Sequence, residues 1–213
     1  MRYLDLLTAL FATVLLVSNV ASTKLVVLGP FTFDGGTLLF PLAYIFGDVL
    51  TEVYGYRKSR RVIWIGFFAL LLATLTFQAV AHLPAPPDAE SQRFGEAFGL
   101  LLGLTPRIVL GSLLAYFLGE FANAYVLAKL KVRTEGRFFW LRALASTLVG
   151  QGLDTGVFPK EVLLAVFLSN YAFKLGVEAL MLPFTYAVVG FLKRAEGMDA
   201  YDRDTDFNPF RLT

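Results

Sequence analysis

Six stretches of this 213-residue chain are apolar over roughly the 20 residues that a transmembrane helix needs. They run from Leu4 to Thr23, Gly36 to Tyr54, Arg61 to His82, Pro106 to Lys129, Phe138 to Thr155 and Val162 to Leu192. Lys and Arg collect in alternate connections. Arg57, Lys58, Arg60 and Arg61 lie between the second and third stretches, Lys129, Lys131, Arg133 and Arg137 between the fourth and fifth, and Lys193 and Arg194 after the sixth. Positive residues favour the cytoplasmic side of a membrane. Both termini are therefore expected inside, a parity that six spans satisfy and five or seven do not. The pattern predicts an all-α integral membrane protein, with a six-helix transmembrane domain over residues 1–194 and a cytoplasmic tail over 195–213.

The connections carry their own signals. Lys24 to Gly36 alternates apolar residues around Gly29-Pro30 and closes on Asp34-Gly35-Gly36, which predicts a β-hairpin-like or re-entrant element. Leu83 to Thr105 is Pro-rich and partly acidic and reads as an outer loop. The last apolar run reads either as one tilted helix or as a short interfacial helix and a span from near Ser169, with Lys160 and Glu161 at its outer end. The first run is too long for the core of a cleavable signal peptide, so it is taken as a span.

Polar residues inside the spans repeat at helical spacing. Tyr44, Asp48 and Glu52 share a face of the second span; Tyr116, Glu120 and Asn123 of the fourth; Asn170, Lys174 and Glu178 of the sixth. A carboxylate in hydrocarbon costs roughly 3 kcal/mol on insertion scales, so these faces are expected to look onto water, a cation or a ligand. Asn19 and Lys24 end the first span, and Arg142, Ser146, Gln151 and Asp154 lie in the fifth. Arg142 has Glu52 or Glu178 as candidate ion-pair partners. A short pattern, Leu42-Ala43-Tyr44 then Gly47-Asp48, recurs 72 residues later as Leu114-Ala115-Tyr116 then Gly119-Glu120, in the parallel sense.

Composition narrows the chemistry. Hydrophobic residues make up 56% and charged residues 17%, and mean hydropathy is +0.62, so no second soluble domain fits. There is no cysteine, and His82 is the single histidine, so thiol chemistry and histidine-based metal sites are excluded. No phosphate-binding loop, nucleophile elbow or zinc-protease motif occurs. No enzyme activity, metal or cofactor is expected, and a net charge of +2 gives no reason to expect a nucleic-acid partner. The partners expected are the lipid bilayer and a small solute held in a polar midplane pocket; association between copies stays open.

Several blocks resemble one family. Asn19, Lys24, Gly29, Gly36, Phe40-Pro41, Asp48-Val49 and Glu52-Val53-Tyr54-Gly55 form the first. Trp140, Arg142, Ser146, Gln151, Asp154-Thr155 and Phe158 form the second. Lys174, Glu178, Pro183 and Tyr186 form the third, and Tyr201-Asp202 with Phe207-Asn208-Pro209-Phe210 the fourth. Together they are similar to the queuosine precursor transporter family, also called the vitamin uptake transporter family. Ser often stands in that family where this chain has Thr155. The resemblance implies uptake of 7-cyano-7-deazaguanine or 7-aminomethyl-7-deazaguanine, an inner-membrane location, and kinship in fold with the substrate-binding subunits of energy-coupling-factor vitamin transporters. A binding subunit that needs a separate ATPase module is the alternative.

The residue types suit such a base. A carboxylate can accept the adjacent ring N–H and amine of a guanine edge, which falls to Asp48 or Glu52. Glu120, Asn123, Gln151 and Asp154 would take the remaining polar groups, and Lys24, Arg142 and Lys174 orientation or charge balance. Asn19 and Glu178 complete the candidate set. Phe40, Tyr44, Tyr116 and Tyr171 are the candidate stacking platforms, a contact worth roughly 1–3 kcal/mol per base.

Overall fold

The structure is a computed structural model that describes the backbone of residues 1–29, 31–103, 106–156 and 164–211. Of their side chains, those of residues 28, 31, 32, 40, 41, 106, 107, 154–156 and 164–170 lie outside the description. The order is α1 (Leu4–Ala21), β1 (Leu25–Leu28), β2 (Phe31–Asp34), a 3₁₀ turn (Gly35–Leu39), α2 (Phe40–Tyr54), α3 (Tyr56–Ala81), α4 (Ala89–Leu102), α5 (Pro106–Arg133), α6 (Phe139–Gly156) and α7 (Leu164–Glu196). Lys160 and Glu161 fall outside the described residues. The last apolar run is one helix from Leu164, not two.

α2 is the centre of the bundle and packs on α1, α3, α5 and α7. Every residue from Gly47 to Tyr56 is buried. A helix buried all round must place its polar side chains against protein rather than lipid, which is why Asp48, Thr51 and Glu52 can sit there. Large apolar side chains of α1, α3 and α5, among them Leu10, Val17, Phe68, Leu72, Leu110 and Leu114, stay exposed on the outside. Among the described residues four helices are long and apolar enough to cross a membrane: Leu4–Ala21, Tyr56–Ala81, Ile108–Arg133 and Tyr171–Glu196. α2 has 15 residues, or about 22 Å at 1.5 Å per residue. The 3₁₀ turn before it adds about 10 Å at 2.0 Å per residue.

The expected hairpin forms. β1 and β2 pair antiparallel, Leu25 opposite Asp34 and Leu28 opposite Phe31, with Gly29 at φ 59° in the turn. Phe33 stacks on Phe173 of α7 at 5.2 Å between ring centroids. Asp34 fastens the hairpin to α1: Ser22 Oγ donates to its Oδ1 at 2.8 Å, and Thr37 N–H and Oγ1 also donate to it. A Cβ on Gly36 would lie 2.5 Å from the Ser18 carbonyl oxygen, so the two segments meet backbone to backbone.

The stretch from Leu83 to Thr105 is not all loop. α4 begins after Asp88, whose carboxylate accepts from Ser91 N–H at 2.8 Å as a helix N-cap. The two prolines before Asp88 masked an Asp-x-x-Ser start signal. None of its residues is buried, although Phe98 meets Phe77 of α3 edge-on.

Both termini gather at the end opposite the hairpin. Glu196 accepts the N–H groups of Arg2 and Tyr3 and the Tyr54 hydroxyl. The tail crosses the ends of α3 and α5. Arg60 donates to the Asp206 and Asn208 carbonyls, Tyr56 Oη to the Phe207 carbonyl, and Trp64 Nε1 to the Pro209 carbonyl. Phe207 packs on Tyr56 and Tyr125, and Phe210 on Trp64 and Phe117.

Candidate functional site

A cavity of about 290 Å³ lies between α1, α2, α3, α5, α6 and α7. Ser18 and Asn19 of α1, Ser22 at its C-cap and Asp34 of the hairpin line it. Tyr44 of α2, Tyr116, Glu120 and Asn123 of α5, Thr147 and Gln151 of α6 and Lys174 of α7 line it as well. Leu15, Leu70, Val109 and Leu113 supply apolar surface. The volume sits at the lower edge of the roughly 300–1,000 Å³ of small-molecule pockets, a size for one compact ring system.

Helical spacing explains the polar wall. Tyr116, Glu120 and Asn123 fall on one face of α5, and small residues opposite them let the helices close up. A Cβ on Gly47 of α2 would meet Asn123 Nδ2 and Glu120 Oε2 at 3.6 Å each. A Cβ on Gly150 of α6 would lie 2.8 Å from the Gly119 carbonyl. Tyr116 Oη donates to the Ile63 carbonyl at 3.0 Å, which fixes its ring in the wall. Lys174 Nζ donates to Gln151 Oε1 at 3.1 Å. Asn123 Nδ2 reaches Asp48 Oδ1 at 3.5 Å, while Asn123 Oδ1 is buried and has no hydrogen-bond partner among the described residues.

The other sequence candidates lie elsewhere. Asp48 is buried behind Asn123 and does not line the cavity. Glu178 is buried behind Thr147, whose hydroxyl donates to it at 2.8 Å. Lys24 is exposed at the hairpin base. Tyr171 Oη donates to the Leu148 carbonyl at 2.9 Å. The Phe40, Asp154 and Asn170 side chains lie outside the described residues. Thr74, Ser112 and Thr147 line the cavity without having been singled out, because short hydroxyl residues at ordinary helix positions carry no sequence signal of their own; Asp34, read only as part of a turn, lines it too.

Glu52 and Arg142 belong to a separate buried ion cluster at the basic end. Arg142 Nη1 lies 2.6 Å from Glu52 Oε2, and its Nη2 3.3 Å from Oε1. Lys193 Nζ is 2.7 Å and Lys131 Nζ 3.5 Å from Glu52 Oε1. Asp199 of the tail bonds both lysines. Arg142 also donates to the Arg137 and Gly136 carbonyls, and Lys131 to those of Glu52 and Ala200. Lys131 and Lys193 look like loop-flanking charges in the sequence, yet their long stems bring both ammonium groups back into the bundle. The excess of intramembrane acid over cation is thus smaller than Arg142 and Lys174 alone suggest. Outside the spans, partial burial disfavours ionisation of Asp199, but Lys131 and Lys193 outweigh it and hold the carboxyl below its ordinary range.

A multi-pass bundle with apolar outer helices and a polar cavity among them defines a membrane protein of the transporter class. Residues 34–188, from the end of the hairpin to most of α7, match the family model described as "Putative vitamin uptake transporter". The chain belongs to the vitamin uptake transporter family. It is 34% identical over 188 residues to the "Probable queuosine precursor transporter" of Bacillus subtilis (strain 168), covering 83% of this chain and 80% of that one. It is 28% identical over 125 residues to the "Queuosine precursor transporter" of Escherichia coli (strain K12), covering 58% and 52%. No solved structure matches the chain.

Proposed function

We propose that this protein imports a queuosine precursor, 7-cyano-7-deazaguanine or 7-aminomethyl-7-deazaguanine, across the cytoplasmic membrane. The observation that carries the reading is the wall formed by Tyr44, Tyr116, Glu120, Asn123, Gln151 and Lys174 around a cavity sized for one bicyclic base. The printed names of the relatives in Bacillus subtilis and Escherichia coli point the same way. Glu120 accepts the ring N–H and exocyclic amine together. Lys174 or Gln151 donates to the ring carbonyl oxygen. Tyr44 or Tyr116 supplies the stacking face. Asp48 acts through Asn123, which it holds.

The topology we assign is six spans with both termini inside. α1, α3, α5 and α7 cross as long helices, and α2 with its 3₁₀ turn and α6 complete the bundle. The gathering of both termini and the basic connections at one end supports that orientation. The cavity is then reached from the hairpin side, and the Glu52 cluster closes the cytoplasmic side.

Thermal stabilisation of the detergent-purified chain by a ligand panel tests the substrate. A concentration near 100 times Kd stabilises by about 2.7 kcal/mol. The two deazaguanines should raise the melting temperature, and Glu120→Gln should abolish the rise. A rise with riboflavin, thiamine or biotin in place of the deazaguanines overturns the substrate assignment. Uptake by the purified chain alone in liposomes separates an autonomous importer from a subunit that needs an ATPase module.

A further inference from the structure

Two carboxyl groups sit one side chain away from the cavity and, among the described residues, neither forms an ion pair. Asp48 on α2 is 2% exposed, and among the described residues its hydrogen-bond partner is Asn123 at 3.5 Å. Glu178 on α7 is 5% exposed; Thr147 donates to its Oε1, and among the described residues its Oε2 has no hydrogen-bond partner. The two lie within each other's field.

The charged groups around them are otherwise engaged. Glu52, one turn below Asp48 on α2, takes Arg142 from α6, Lys131 from α5 and Lys193 from α7. Lys174, one turn above Glu178, donates to Gln151. Tyr44 lies one turn above Asp48, and Glu120 of α5 flanks Gly47. α1 and α3, which also pack on α2, carry charge only near their ends, at Asp5 and over Arg57–Arg61. An ionised carboxylate in such a setting costs several kcal/mol unless a cation or several donors compensate it. One long amide contact and one hydroxyl do not. The arrangement is one for carboxylic acids.

We propose that Asp48 and Glu178 are the proton-binding carboxyls that couple solute movement to the proton gradient, a reading that rests on the import function proposed above. Asn123 and Thr147 both line the cavity, so each acid touches a residue that a bound solute touches. Discharge has a route in the same geometry. Asp48 and Glu52 are one helical turn apart, so moving Arg142 about 5.4 Å along α2 transfers its charge from Glu52 to Asp48. Asp48 then gives up its proton towards the basic end, where the Glu52 cluster has opened.

Two measurements test this. The first needs no solute: infrared spectra of the purified protein at neutral pH. Wild type should show a protonated-carboxyl C=O band that weakens in Asp48→Asn and in Glu178→Gln. A band unchanged by both substitutions means that both acids are ionised and overturns the proposal. The second uses proteoliposomes and 7-cyano-7-deazaguanine. One proton per neutral solute sustains about tenfold accumulation per pH unit, inside alkaline. Gradient-driven uptake divided by counterflow should fall at least about tenfold in either variant. Wild-type accumulation of the solute that ignores a collapsed gradient overturns coupling. Absence of both binding and counterflow counts against the substrate reading instead, and the infrared band still decides whether the proton site exists.

Discussion

Asp202 in the tail accepts a hydrogen bond from the backbone N–H of Tyr56, the first residue of α3, at 2.9 Å. The residue before α3 is Gly55, which has no side chain to cap the helix, and its φ of 79° sets the sharp reversal from α2. A carboxylate 146 residues away in sequence therefore does the capping. Thr205 Oγ1 donates to its other oxygen and holds it in place. Asp202→Ala should lower stability by about 1 kcal/mol, the usual cost of a lost cap, read as a lower melting temperature in detergent. Asp202→Asn keeps an acceptor and should lose less.

Glu52 on α2 should separate by phenotype from Glu120 on α5. Glu52→Gln leaves Arg142, which is 0% exposed, and Lys131 without their buried anion. Breaking a buried pair from one side costs roughly 3–5 kcal/mol, so the yield of folded protein should collapse. Glu120→Gln should fold and lose the ligand-induced stabilisation. Well-folded Glu52→Gln that merely fails to bind would show that the cluster serves the ligand and not the fold.

Helical spacing was enough to put Tyr116, Glu120 and Asn123 on one face of α5, apolar alternation to find the hairpin around Gly29, and the clustering of Lys and Arg to find the basic end of the bundle. The pairing of Arg142 with one of two acids, Glu52 or Glu178, was legible; which of the two it takes, and the contacts Asp48–Asn123 and Thr147–Glu178, were not, because these are contacts between helices whose rotation depends on packing across the whole bundle. The closeness of Asp48 and Glu52 in sequence hides that one lies behind the cavity and the other inside an ion cluster. α4 was hidden by Pro86 and Pro87. The tail's aromatic residues were visible as packing candidates, but the carbonyls it offers to Arg60, Tyr56 and Trp64 carry no side-chain signal.

Asp199 gives the cluster a pH dependence that can be signed. Lys131 and Lys193 overcome the effect of burial and hold its folded pKa below the unfolded value, which is near 3.9 for an aspartate. Its contribution is therefore fully present above about pH 4 and is lost as pH falls through the folded pKa. Melting temperature should drop on that acid limb in wild type. Asp199→Asn should start lower at pH 7 and show a shallower limb. Parallel limbs in the two proteins would contradict the assignment.

Gly66 of α3 packs directly behind Tyr116 in the cavity wall. A Cβ there would lie 2.4 Å from Tyr116 Oη, 3.0 Å from Leu15 Cδ2 and 3.1 Å from Phe11 Cε1. Gly66→Ala must push Tyr116 off its 3.0 Å hydrogen bond to the Ile63 carbonyl and into the cavity. Overpacking of this kind costs roughly 1–3 kcal/mol, and the displaced ring also takes space from a solute. Ligand affinity should fall together with stability. Tyr116→Phe removes the hydroxyl that clashes, at the cost of the bond to Ile63. In the double-mutant cycle the second change should therefore cost less in the Gly66→Ala background than in wild type. Thermal shifts of the four proteins, with and without 7-cyano-7-deazaguanine, measure that coupling; strict additivity would show that Gly66 and Tyr116 act independently.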